Sequence, residues 1–150
     1  MKRVDQSILD KKVGDCTRAC VASLLDLPLD AVPHFMRFGE DVWFKVLNNF
    51  LWALDYEFLG TGYPIGPDGL KGHVLAESSN VKGYVIASVP SKTFEGVGHN
   101  VIMNLEGVIE HDPNPNKRWQ DINVLESGDL MDWCLIGPKE NETNSIGESE

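Results

Sequence analysis

The sequence predicts an α+β domain in which N-terminal helices pack on one side of an antiparallel sheet. Three observations carry that expectation. Apolar residues recur at helical spacing over 17–27 and again over 40–54. After residue 56 the pattern changes to short apolar runs bounded by Gly, Pro and Asn, the signature of strands. Helices first and strands afterwards favour segregated layers over alternating βαβ units.

The elements follow in order. "VGDC" leads into a helix whose apolar positions are Ala19, Cys20, Ala22, Leu24 and Leu27, and Pro28 stops it. Asp15 or Thr17 is the expected cap. "LDAVPHF" holds one short turn. "GEDVWFKVLNNFLWALDY" is the clearest helix, with Val42, Val46, Leu47, Phe50, Leu51 and Leu54 on a broad apolar face. Glu40 and Asp41 suit the positive end of its dipole. The aromatics of "FMRF" and Trp43, Phe44, Phe50 and Trp52 are expected in the core rather than on a ligand platform. "GYPIGPDGLKG" reads as a turn-rich loop. "KGYVIASVP", "GHNVIMNL", "GVIEHD" and "MDWCLIGP" read as strands. The polar end of the chain, 139–150, is expected to be a disordered acidic tail, leaving one domain over 1–138.

Composition removes several function classes. A formal charge of −10 argues against a general nucleic-acid binder and against docking on anionic lipid. The charged start "MKRVDQSILDKK" has no apolar signal core, and no run is long enough to span a bilayer, so the expected location is cytoplasmic. Three cysteines cannot all pair within a monomer, and reduced thiols are expected. Cys16 and Cys20 are four apart, which is a helical rather than a metal-knuckle spacing. No HExxH or CxxC frames a metal, and no GxGxxG or P-loop indicates a nucleotide. No metal and no cofactor are therefore expected.

The chemistry rests on Cys16. A thiol reacts as thiolate, and the unpaired N–H groups and dipole at a helix N-terminus favour that anion. Cys20, one turn further in, is the poorer candidate because burial disfavours charge. A thiol nucleophile needs a base, and the base needs an orienting group. "GHNVIMNLEGVIEHDP" reads as a hairpin closing near Glu106–Gly107. With a loop of Glu106 and Gly107, Asp112 pairs with Val101, on the face of His99 and diagonal to it. With a loop of Leu105 and Glu106, His99 faces Asp112 directly. Either closure puts imidazole and carboxylate on one face, whereas a three-residue loop would separate them. His111 alternates to the other face, and His34 and His73 show no partner in the sequence. The competing reading makes both helix cysteines small core residues.

An Asp-Cys pair opening a helix, with Ala and Cys following, resembles the start of papain-like peptidases of the bacteriocin-processing, double-glycine leader type. "GHNVIMN…VIEHDP" resembles that family's second block, a His opening one strand and an Asp-Pro closing the next. The resemblance implies a papain-like fold, with Cys16 as nucleophile, His99 as general acid/base and Asp112 as the residue orienting the imidazole. It also implies a Gln before the Cys that donates to the oxyanion. Gln6 is the only Gln on that side, farther from Cys16 than is usual in the family. Either "LDKKV" forms an extra loop or another donor serves. Thr17 replaces the Gly that usually follows the Cys, which narrows the cleft. The matching blocks leave the helix at 40–54 and the loop at 60–72 outside them.

The expected function is a thiol hydrolase acting on an amide or related acyl bond of a peptide, a protein or a small amide conjugate. It would resemble the small stand-alone proteins of this type found in phages and bacteria. Thr17, Asn114 and Trp119 are the expected substrate contacts, the last two from "DPNPNKRWQD" directly after Asp112. The alternative is a catalytically inactive binding module or inhibitor of the same fold, motivated by Thr17 and the distant Gln6.

Overall fold

A computed structural model describes residues 1–62 and 83–139. His73, most of "GYPIGPDGLKG" and residues 140–150 of the acidic tail lie outside the described residues. Two helices come first, α1 at Cys16–Leu24 and α2 at Trp43–Ala53, with 3-10 turns at Leu29–Ala31 and Phe35–Phe38 between them. The strands are β1 (Tyr56–Gly62), β2 (Val85–Pro90), β3 (Gly98–Met103), β4 (Ile109–His111) and β5 (Asp132–Pro138). One turn of helix, α3 at Val124–Ser127, precedes β5. The strands form one antiparallel sheet in the order β1-β5-β2-β3-β4. Among the described residues no single helix is long and apolar enough to cross a membrane.

Alternation along the strands builds two cores. Ile86, Ile102 and Ile136 face α1 and α2, packing on Val21, Leu24, Phe35, Leu47 and Leu51. Val85, Ala87, Val101, Met103, Trp133 and Leu135 face the other way, where Trp119, Val124 and Leu130 cover them. The helices therefore lie on one face, as expected, and the chain between β4 and β5 closes the other.

Several boundaries differ from the sequence reading. Helix α1 ends two to three residues early, because Asp26 takes a left-handed φ of 55° and the N–H of Leu27 donates back to the carbonyl of Ala22 at 2.9 Å. Glu40 and Asp41 lie before α2 rather than in its first turn, since Gly39, at φ 88°, supplies the carbonyl that accepts from Val42 and Trp43. The apolar face of α2 is narrower than expected: only Leu47 and Leu51 are buried, while Val42 and Leu54 are exposed. Phe38, Phe44 and Trp52 are also exposed, and the Lys139 ammonium lies 4.0 Å from the centre of one Trp52 ring. Strand β1 was unanticipated. It is a half-buried edge strand, and its pairing with β5 joins segments far apart in the chain.

The β3–β4 hairpin decides which side chains can meet. Its loop has three residues, because Asn104 donates to the carbonyl of Val108 and accepts from the N–H of Gly107. That loop alone would put His99 and Asp112 on opposite faces. A bulge corrects it: Met103 pairs with Ile109 but Ile102 pairs with His111, so Glu110 is the extra residue. Beyond the bulge the register is the one a Glu106–Gly107 loop would have given, and Asp112 returns to the face of His99.

Gly107 closes this loop at φ 89°, and a Cβ there would stand 2.6 Å from Cγ of Leu125. Gly107→Ala is expected to destabilise the fold by about 1–3 kcal/mol, read as a lower urea midpoint at unchanged m-value. An unchanged midpoint would contradict this account of the loop.

Candidate active site

Asp15 occupies the N-cap position of α1 but does not cap it with its side chain. Its buried carboxylate turns to the N-terminal segment, accepting from the N–H of Ser7 (3.0 Å), the N–H of Ile8 (2.8 Å) and Oγ of Ser7 (2.9 Å). Arg18 Nη1 lies 3.5 Å from the same group. Nor does Thr17 cap: its Oγ1 accepts from Nδ2 of Asn100 at 2.6 Å. The first-turn N–H groups of α1 are thus left to other acceptors, and Cys16 stands among them.

The Cys16 thiol meets His99 and the backbone of β3. Burial pushes the thiol up, but its hydrogen bond with His99, the His99 charge, and the N–H groups of Asn100 and Thr17 outweigh that, holding it below the usual thiol range. The pairing of β3 with β4 ends at Ile102 and His111, which leaves the N–H of Asn100 available to the sulfur. On the other side of the ring, His99 Nε2 lies 2.7 Å from Oδ1 of Asp112. Nδ1 is the nitrogen left for Cys16. Burial pulls His99 down, yet the hydrogen bonds to Asp112 and Cys16 with their charges raise it to about 9. Burial also raises Asp112, and this is outweighed by His99 and by the N–H groups of Trp119 and Asn114, so its carboxyl is held low. Each group moves toward its charged form because the neighbour is charged.

Asp112 is fixed from all sides. Oδ1 also accepts from the N–H of Asn114 (3.0 Å), and Oδ2 accepts from the N–H of Trp119 (3.0 Å). Its own N–H donates to Oε1 of Gln120 (2.9 Å) and its carbonyl accepts from Nζ of Lys117 (2.7 Å). "DPNPNKRWQD" therefore wraps the carboxylate. Trp119 serves through its backbone. Its indole is buried and donates to the carbonyl of Pro90 at 3.0 Å, and it does not line the recess beside Cys16.

That recess is small, about 40 Å³, and Gln6, Gly14, Cys16, Gly98, His99 and Asn114 are among its walls. Gln6 reaches it because the N–H of Gln6 is tied to the carbonyl of Pro113 at 2.9 Å, and residues 9–13 form a separate turn closed by the Asp10 carboxylate on Lys12 and Val13. The Gln6 amide Nε2 donates to the carbonyl of Ile8 (2.9 Å), and its Oε1 has no partner among the described residues. Asn114 holds the N–H of Asn116 and Oγ1 of Thr93. Thr17 faces away, into a second cavity. His111 points to the opposite side, onto the carbonyl of Val4 at 2.7 Å, and His34 binds the carbonyl of Val13 at 2.7 Å, a partner the sequence did not reveal. Cys20 is buried and pushed well above the thiol range by burial; Cys134 is pushed up to about 12 by burial and the Asp132 charge. The sequence reading missed Asn100, whose only signal was its place between His99 and Val101 in an apolar strand.

Among the described residues no cluster of three or more His, Cys, Asp or Glu side chains could hold a metal ion. Compared with known proteins, the chain matches no family model, no curated protein and no solved structure.

The charge pattern has a measurable consequence. The Cys16 thiolate is present at a pH below the ordinary thiol range near 8.5, and imidazolium persists beside it until pH rises through about 9. Iodoacetamide should label Cys16 selectively at neutral pH, with Cys20 and Cys134 lagging, as peptide mapping would resolve. In His99→Ala the rate should rise only in the ordinary thiol range. Equal and slow labelling of all three thiols would contradict the geometry.

Proposed function

We propose that this protein is a thiol hydrolase of papain-like type, cleaving an amide or related acyl bond of a peptide, protein or small conjugate. One observation carries the reading: a depressed thiol at a helix N-terminus shares a hydrogen bond with an imidazole whose other nitrogen is 2.7 Å from a buried, fully bonded carboxylate. A helix bearing the thiol, packed on an antiparallel sheet whose adjacent segments bear the His and Asp, is the arrangement a papain-like assignment requires.

In this reading the Cys16 thiolate attacks the carbonyl carbon and its electrons move onto the carbonyl oxygen. The N–H of Cys16 and the amide of Gln6 stabilise that oxyanion, Gln6 exchanging its Ile8 acceptor for the substrate. Collapse of the intermediate leaves a thioester as the His99 imidazolium protonates the departing amine. His99, now neutral, takes a proton from water, which attacks the thioester and frees the acid and the thiol. Asp112 fixes the ring orientation and stabilises the imidazolium throughout. Three unpaired thiols suit a reducing cytoplasm.

The narrowness of the recess favours a second reading, a binding module or inhibitor that uses the same cleft without turnover. Reaction with p-nitrophenyl esters of N-acyl amino acids separates the two. The hydrolase should release a burst of nitrophenol and carry one acyl group on Cys16 by intact mass. Cys16→Ala should lower the rate about a thousandfold or more. Undiminished turnover in Cys16→Ala would overturn the proposal, and acylation without turnover would favour the binding module.

A further inference from the structure

The start of α1 meets one edge of β3, the edge that β4 leaves when its pairing ends at Ile102 and His111. Contacts reach it from both faces of the strand. His99 stands on the face of Val101 and Met103, and its ring meets the Cys16 sulfur. Asn100 alternates to the face of Ile102, and its Nδ2 donates to Oγ1 of Thr17 at 2.6 Å. Between these two side chains the N–H of Asn100, on the β4 side of its strand, meets the sulfur. A second N–H, that of Thr17, meets the same sulfur from the helix.

The two main-chain donors on the sulfur therefore belong to the two residues whose side chains are bonded to each other. Ser88, the pair of Asn100 on β2, sets the amide's orientation. Its Oγ donates to Oδ1 of Asn100 at 3.0 Å, so Nδ2 is the end left for Thr17. Thr17 is buried, Asn100 is half-buried, and neither lines the recess that holds Cys16. Around the sulfur stand His99 of β3, Asp112 behind its ring, the neutral Cys20 thiol one turn along α1, and Asp10 on the wall of the recess. Replacing Thr17 or Asn100 leaves all four in the chain.

From this juxtaposition we infer that Thr17 and Asn100 are positioning residues: their side-chain bond fixes the start of α1 against β3, so that the Cys16 sulfur is gripped between the N–H of Thr17 and the N–H of Asn100. This role concerns the charge held on the sulfur, so it goes beyond the hydrolase reading and applies equally to a binding module. A bond to an ionised acceptor is about twice as strong as a neutral one, and it weakens steeply as distance and angle degrade. The latch between α1 and β3 holds both.

Iodoacetamide labelling of Cys16, followed from pH 5 to 10 in the full chain with the urea midpoint measured alongside, tests it. Thr17→Val keeps the shape and removes the hydroxyl, and it should move the labelling profile up by about one pH unit. Asn100→Ala should do the same. The double variant should move it no further than either alone, since one bond between the pair is lost in all three. Thr17→Ser keeps the hydroxyl and should restore the wild-type profile. A Thr17→Val profile that stays in place, whatever the urea midpoint does, would overturn the positioning role, and so would shifts that add in the double variant. One measurement needs no variant to fold. In the wild-type 15N–1H spectrum the amide protons of Thr17 and Asn100 should both move with the titration of Cys16, and a still resonance at either position would overturn the grip. The hydrolase reading fails separately, by ester turnover that Cys16→Ala leaves undiminished.

Discussion

The carboxylate of Asp112 is the point on which the site's geometry hangs. It is 1% exposed, and a charge so placed is tolerated only when its lone pairs are taken up. Three donors do so: the His99 imidazole and the N–H groups of Asn114 and Trp119. These bonds draw the chain after β4 around the carboxylate and fix the His99 ring against the start of α1. The electrostatics then follow in sequence. Asp112 and the sulfur together raise His99 to about 9, and His99 in turn holds both the Cys16 thiol and the Asp112 carboxyl below their ordinary values. Removing any member shifts the titration of its neighbours.

The N-terminus of α1 shows the same economy from the opposite direction. Asp15 stands where a capping side chain is common, yet it binds Ser7 and Ile8 and anchors the N-terminal segment. That choice does two things. It leaves the helix N–H groups and their dipole to the anion at Cys16. It also brings Gln6 beside the thiol, with the turn at residues 9–13 absorbing the extra length between them. A capped helix would have competed with the sulfur for the same donors.

Much of this was legible in the sequence, for identifiable reasons. Helix α1, helix α2 and strands β2 to β5 each carry their own periodicity, so local pattern located them. The face shared by His99 and Asp112 was also legible, but by a register reached differently. The loop has three residues and the bulge at Glu110 restores the parity, and no local signal distinguishes that pair of features from a simple two-residue turn. Strand β1 was hidden because Tyr56–Gly62 carries two glycines and only half-buries its side chains, and because its partner is the last strand of the chain. The exposed aromatics of α2 misled for the opposite reason. Hydrophobicity marked Phe44 and Trp52 for the core, whereas only the contacts of the folded chain decide which side of a helix the core occupies. In the loop after β4, Trp119 gives its backbone N–H to Asp112 and its indole N–H to the carbonyl of Pro90.

The central claim is that His99 is an imidazolium at neutral pH, held between the Asp112 carboxylate and the Cys16 sulfur. The 15N shifts of its two ring nitrogens, followed from pH 5 to 10 in the wild-type chain and in Cys16→Ser, test it directly. The account predicts two protonated nitrogens in the wild type until pH rises through about 9, and an earlier loss of the proton once the sulfur is replaced. A neutral ring at pH 7 that titrates near the ordinary histidine value of about 6.5 in both proteins would contradict it.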